Sequence, residues 1–216
     1  MMDGGHVILL HGLWMRSLTL LPLGRRLREA GFDVETMDYA STLGGPERAA
    51  EKLLQRMHAH RGNLHLVGHS LGGLIALRAL AAARSGQAGG DGRVVCLGSP
   101  LCGSAAARSL AHWRGGRWLM GRSTDLLCTG LERWDGPNAV GVVAGRLPLG
   151  LGFVLGPLAG DHDGTVSVGE TQLPGIADHR TVPTSHSGLL LSREAADQTI
   201  AFLRSGHFLP PRQAAA

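Results

Sequence analysis

Apolar residues occur along this chain in two kinds of run, and the alternation between them predicts its elements. His6-Val-Ile-Leu-Leu10 is a short continuous apolar run ended by His11-Gly12, the pattern of a strand buried on both faces of a parallel sheet. Ser17 stands where it would cap a helix running to Glu29, with Gly31 at the C-terminal stop. Phe32 to Tyr39 reads as a second strand. From Pro46 to Arg61 the apolar positions Ala50, Leu53, Leu54 and Met57 fall on one helical face. Asn63 to Val67 gives a third strand, Leu71 to Ala83 an alanine- and leucine-rich helix, and Ser85 to Gly92 a glycine-rich surface turn. Arg93 to Leu97 is a fourth strand, closed by Gly98-Ser99-Pro100. A less regular stretch, Leu101 to Pro137, precedes a fifth strand at Ala139–Leu147 and a sixth at His179–Val182. A last helix runs from Ser192 to Arg204, capped by Ser192 with Glu194 close behind.

Strands alternating with helices predict an α/β fold, with about six mostly parallel strands and helices on both faces of the sheet. No repeat or linker divides the chain. Residues 1–209 are therefore expected to form one domain, with 101–137 as a small lid or cap insertion and 210–216 as a frayed tail.

The chemistry centres on Gly68-His69-Ser70-Leu71-Gly72, a G-x-S-x-G pattern between a predicted strand and a predicted helix. A serine there sits on a strained turn, so the residues two before and two after must be small enough for strand and helix to approach. The turn lifts Oγ above the sheet, and the helix N-terminus favours negative charge beside it. A serine hydroxyl needs a base, expected later in the chain on the loop beyond the last strand. His186, in Thr184-Ser185-His186-Ser187-Gly188, fits; His179 lies inside a strand and His207 follows the final helix. The histidine needs a buried carboxylate, and two stand together in Asp161-His162-Asp163-Gly164. Asp163 is preferred, because Gly164 can take the turn that points the carboxylate back across the strand ends. Asp161 is the alternative and Asp135 a remote third. The Asp-His-Asp cluster also invites a metal reading, but no other metal-like spacing supports one, so no metal is assigned.

An oxyanion needs donors. The backbone N–H of Leu71, after the nucleophile, is one, and Leu13 in the loop His11-Gly12-Leu13-Trp14 is the expected second. His11 is read as a brace for that loop. Trp14, which lines the pocket or covers the core, and His69 are the candidate substrate-binding side chains. Cys102 is placed to pack under Ser70.

Composition alters this picture little. The chain has 216 residues, 44% hydrophobic and 18% charged, an ordinary globular balance. Its net charge of +4 is read as a solvated basic surface. Without a long Lys/Arg run, and with 4% aromatics, nucleic acid is not an expected partner. The start of the chain lacks the pattern of a secretory signal, no stretch approaches a membrane span, and Cys96, Cys102 and Cys128 are an odd number. A cytoplasmic location with free thiols is expected. Within 101–137, Trp113, Trp118 and Trp134 with Arg114, Arg117 and Arg122 offer peripheral contact with an anionic membrane. Tryptophans completing the core, with arginines reaching outward, are preferred, because Gly115-Gly116 interrupts any long amphipathic helix. Leu147 to Leu158 reads as an acyl-pocket wall or a buried connection.

The order of His11-Gly12, Gly68 to Gly73, Gly98 to Ser104, Asp163-Gly164-Thr165-Val166 and Ser185-His186 resembles that of lipase-like α/β-hydrolases. The chain resembles small bacterial lipases and esterases and, more loosely, the lipase-like domain of inositol deacylases. The resemblance spans Val7 to about Phe208. It implies a triad of Ser70, Asp163 and His186, an acyl-enzyme intermediate and no cofactor. The antiparallel strands that open larger members are missing, which implies a minimal form with less room for a cap. The expectation is a serine hydrolase acting on a small-molecule or lipid ester. An acyltransferase or thioesterase on the same triad, or a non-catalytic binding protein on the same scaffold, are the alternatives.

Overall fold

A computed structural model of the chain describes residues 4–60, 62–83, 92–150 and 158–210, and in it the six apolar runs form one sheet. The strands are β1 (His6–Leu10), β2 (Asp33–Met37), β3 (Leu64–His69), β4 (Val94–Leu97), β5 (Val140–Gly145) and β6 (Asp178–Val182). Their order is β2-β1-β3-β4-β5-β6, and every neighbouring pair is parallel. Leu10 lies opposite Gly68, so the loop leaving β1 and the turn leaving β3 emerge side by side.

The two-residue period of each strand divides the core. Ile8, Leu10, Leu66, Cys96 and Val142 face α2 (Gly45–Ala59) and α3 (Leu71–Ala82). Val7, Leu9, Val67, Val95 and Val143 face α1 (Leu21–Glu29) and α7 (Arg193–Ser205), which contributes Phe202. Both faces being covered explains why β1, β3, β4 and β5 are runs without polar alternation.

Two local expectations change. Ser17 does not cap α1: Ser17–Leu20 is a 3₁₀ turn, and α1 starts at Leu21 with Pro22 in its first turn, where the missing N–H has no cost. Ser192 does cap α7, its hydroxyl accepting from the Ala195 amide at 3.2 Å.

The stretch 101–137 is more helical than its sequence pattern predicts. It forms α4 (Ala105–His112), α5 (Gly116–Met120), a 3₁₀ turn (Gly121–Ser123) and α6 (Thr124–Thr129). Helices this short show little periodicity and depend on tertiary contacts. Arg122 N–H donates to Thr42 O at 2.9 Å, and the Trp14 indole N–H to Leu119 O at 2.9 Å. Gly121 has φ +59°, and a Cβ there would lie 2.4 Å from Thr42 O, so this junction requires glycine. Trp134 is buried as the core reading expects, but Trp113 is half exposed and Trp118 is 83% exposed.

The turn at 85–91, residues 151–157 of the apolar stretch, Arg61 and the tail from 211 lie outside the described residues. Among the described residues no helix is long and apolar enough to cross a membrane.

Candidate active site

Ser70 joins β3 to α3 with φ 55° and ψ −121°. A non-glycine residue at positive φ carries strain of about 1–3 kcal/mol that surrounding packing must hold. The neighbouring glycines show how it is held. A Cβ at Gly68 would lie 2.3 Å from the Gly73 amide nitrogen, and one at Gly72 would lie 2.5 Å from Leu10 O. Strand, turn and helix therefore touch backbone to backbone. Ser70 N–H donates to Leu97 O at 2.9 Å, anchoring the turn to β4.

The two expected oxyanion donors flank this turn. Leu71 is the first residue of α3, where amides lack an intrahelical acceptor. Leu13 lines the same cavity as Ser70. His11 braces the Leu13 loop. Its Nδ1–H donates to Gly12 O at 2.9 Å, its ring stacks on Tyr39 at 4.1 Å, and the Tyr39 hydroxyl donates to its carbonyl. Burial holds the His11 pKa below its usual value, so the brace stays neutral. Trp14 is the other described non-glycine residue at positive φ (58°); its amide donates to Ser41 Oγ at 3.2 Å, and its side chain lines the cavity half exposed.

His186 and Asp163 meet. His186 Nδ1 donates to Asp163 Oδ2 at 2.7 Å, and the His186 amide donates to Asp163 O at 2.9 Å. Asp163 is 1% exposed, and its Oδ1 accepts from the Thr165 and Val166 amides at 2.9 and 2.7 Å. Gly164 takes the turn at φ 91°. Asp161 is exposed and closes the loop through its carbonyl, which accepts from Val168 N–H at 2.8 Å. Asp135 pairs with Arg133 at the surface, His179 contacts Thr171 Oγ1, and His207 is exposed.

Ser70 and His186 line one cavity of about 270 Å³. One wall is apolar: Pro100, Ala106, Ala107, Leu110, Met120 and Leu127. Leu149, Thr165 and Val166 also line the cavity. No hydrogen bond joins Ser70 Oγ to His186 among the described residues; such bonds are often long before substrate binds. A second cavity, about 420 Å³ beside β6 and α7, has Arg146, Arg180, Glu194 and Asp197 in its walls and none of the predicted site residues.

Two predicted placements are corrected. His69 is 1% exposed and absent from the cavity wall; its Nε2 lies 3.0 Å from His186 O. The two-residue strand period turns it inward, away from any substrate. Cys102 is exposed, with its thiol towards Gln172 O, and the thiol near the turn is Cys96, 3.0 Å from where a Gly73 Cβ would stand.

Sequence reasoning missed Glu170. Its Oε2 accepts from Ser167 N–H at 2.8 Å and its Oε1 from Ala105 N–H, while its carbonyl accepts from Cys102 N–H. It thus joins the Asp163 loop to the start of α4. A signal existed: Ser167-x-x-Glu170 is a capping-box pattern, and the Glu170 amide returns to Ser167 Oγ at 3.4 Å.

The model of a family described as alpha/beta hydrolase matches residues 7–216. No curated protein matches the chain. Among solved structures, the Bacillus licheniformis lipase BlEst2 in its propeptide form is 20% identical, with a TM-score of 0.76 over 97% of this chain and 52% of that one. The chain thus spans about half of the propeptide form. The mature form is 17% identical, with a TM-score of 0.70 over 94% and 91% of the two chains. Phospholipase PlaB from Legionella pneumophila is 16% identical, with a TM-score of 0.66 over 92% of this chain and 55% of that one. At these identities the likeness is one of fold.

Buried histidines make the fold sensitive to acid. Burial, with Arg93 nearby, lowers His65 to about 4, and burial, with His186 nearby, lowers His69 to about 3. His65 Nδ1 accepts from Arg93 N–H at 3.0 Å, which also needs the neutral ring. Both folded values lie below the ordinary value of 6.5, so the unfolded chain binds more protons in acid. Their stabilising contribution is complete above about pH 6.5 and declines as pH falls towards 4, on the order of 1 kcal/mol per pH unit for each. Urea midpoints should fall steadily below about pH 6.5; a flat profile down to about pH 4.5 would contradict neutral burial.

Proposed function

The chain belongs to the alpha/beta hydrolase family, and on that premise we propose that it cleaves carboxylic esters through Ser70, His186 and Asp163. One observation carries the reading: the buried, charge-oriented His186–Asp163 pair, at 2.7 Å, opens on the same cavity as a serine held at positive φ. Asp163 fixes the tautomer with the proton on Nδ1, leaving Nε2 of His186 to take the Ser70 proton. Ser70 Oγ attacks the ester carbonyl, and the Leu13 and Leu71 amides receive the oxyanion, each contributing on the order of 3 kcal/mol in the transition state. Collapse expels the alcohol, which takes the proton from His186, and leaves an acyl-Ser70 ester. His186 then deprotonates a water whose oxygen attacks the acyl carbonyl; the second intermediate collapses to the carboxylic acid, the bond to Ser70 Oγ breaks, and Ser70 takes the proton back from His186. No step calls for a cofactor.

In this reading residues 1–209 are one cytoplasmic catalytic domain with 101–137 as its cap; the three free thiols favour that location. The wall formed by α4 and α6 takes the acyl part. The half-exposed Trp14 in the cavity wall, bonded to the half-exposed Leu119, favours an ester presented at a lipid surface. Two structural neighbours are named as a lipase and a phospholipase, in keeping with such a substrate.

A fluorophosphonate probe should label the protein and fail to label Ser70→Ala, and His186→Ala should lower turnover of p-nitrophenyl esters by roughly 10³-fold or more while the fold persists. Persistent labelling of the serine variant would remove Ser70 from the mechanism. Asp163→Asn should reduce turnover by several orders of magnitude, of order 10⁴, and Asp161→Asn by less than about tenfold; the reverse ranking would exchange their roles. The apolar wall of Pro100, Ala106, Ala107, Leu110, Met120 and Leu127 offers an acyl chain only a short run of contact. Hydrolysis should therefore rise from acetate to about octanoate esters, by at most about 0.8 kcal/mol per methylene. A rise continuing to palmitate would show that the acyl chain lies elsewhere.

A further inference from the structure

His69 precedes the nucleophile in sequence, yet its side chain is turned away from the substrate cavity. As the last residue of β3 it follows the two-residue period of that strand and shares the face of Val67, towards the loop that carries His186. Its Nε2 lies 3.0 Å from the His186 carbonyl oxygen. A carbonyl only accepts, so Nε2 carries the proton and Nδ1 is a bare lone pair. That Nδ1 is buried and has no hydrogen-bond partner among the described residues. The ring is wedged between two parts of the site: a Cβ on Gly12 would stand 3.2 Å from Nδ1, and the His186 ring centroid is 4.7 Å away.

An unpaired buried acceptor is a cost that an apolar side chain of the same shape would avoid. What a histidine supplies here that phenylalanine cannot is the Nε2 donor. We propose that His69 is a positioning residue, whose N–H to the His186 carbonyl sets the reach between the base and Ser70. His186 is tied to the Asp163 loop by its own amide, at 2.9 Å, and by its ring, at 2.7 Å. The His69 bond ties it in addition to β3, the strand that ends in the nucleophile. Burial keeps His69 neutral well into acid, so the donor is constant and competes for no proton with His186. The proposal rests on Ser70 and His186 being nucleophile and base, and concerns how their separation is fixed.

The test compares His69→Phe, which fills the site without a donor, with His69→Gln, which restores an N–H. Steady-state rates are normalised to the fraction of enzyme titrated by a fluorophosphonate. A misplacement on the order of 1 Å can lower a rate by about 100-fold, so His69→Phe should lose roughly 10- to 100-fold in kcat with KM within about twofold. His69→Gln should recover to within about fivefold of the wild-type kcat. Equal kcat in wild type and His69→Phe, or no difference between the two variants, would overturn the proposal. If His69→Phe does not fold, His69→Met against His69→Gln makes the same comparison. Nitrogen-detected NMR of the wild-type imidazoles gives a second readout that needs no substrate: His69 should remain the neutral Nε2–H form at about pH 5, and an Nδ1–H form would exclude the clamp. An unlabelled, inactive wild type with the expected His69 tautomer would instead locate the failure in the assignment of Ser70 and His186.

Discussion

The backbone contact between β3, α3 and β1 is the constraint on which the rest of the molecule depends. Gly68 touches the first turn of α3, and Gly72 touches the carbonyl of Leu10. Any side chain at either position would push helix from strand, and the turn between them would relax from φ 55°. The strain at Ser70 is therefore held by the same packing that buries the core, with Leu71, Leu74 and Ile75 of α3 at or near zero exposure. Core and strained turn are one mechanical unit.

Topology supplies the space above that unit. The chain leaves β1 towards β2 on one side and returns to β3 on the other, so the loops diverge and leave a crevice at the carboxyl ends of the strands. The Leu13 loop and the Ser70 turn meet in it. The other half of the site comes from the far side of the sheet, where the segments after β5 and β6 bring Asp163 and His186 together. Both oxygens of the Asp163 carboxylate are engaged, Oδ1 by two amides and Oδ2 by one imidazole, so its geometry is set by the backbone of its own loop. The two halves belong to different pieces of chain, and their separation is a tertiary quantity.

That division explains what could be read from the sequence. The strands, the turn at Ser70 and the turn at Gly164 that brings Asp163, and not Asp161, to His186 were legible because each is local. Apolar runs mark two-sided burial, small residues two positions either side of the serine mark a close approach, and Gly164 marks the turn that aims a carboxylate. The helices within 101–137 were not legible. Five to eight residues carry too little periodicity, and they are held by Thr42, Trp14 and Glu170, distant in sequence. His69 was misplaced for a related reason. Proximity to Ser70 in sequence suggested proximity to substrate, whereas strand alternation sends neighbouring side chains to opposite sides. Applied consistently, the same two-residue period would have pointed His69 towards the face of Val67.

The segment 101–137 shares the buried cluster of Leu71 and Leu74 through Ala107, Leu110, Met120, Leu126 and Leu127, and its polar ties to the rest run through loops and helix ends. Arg122 and Ser123 bond the carbonyls of Thr42 and Ser41, Trp14 reaches Leu119, and Glu170 caps the start of α4. None of these contacts passes through Gly68, Gly72 or the His186–Asp163 pair. The apolar wall of the cavity, by contrast, is almost wholly supplied by this segment. Side-chain changes at Ala106, Ala107 or Leu110 therefore alter the volume of the cavity without touching a hydrogen bond of the His186–Asp163 pair. The strain on the serine is built into the sheet, and the apolar wall of the cavity beside it is carried by helices too short to stand alone.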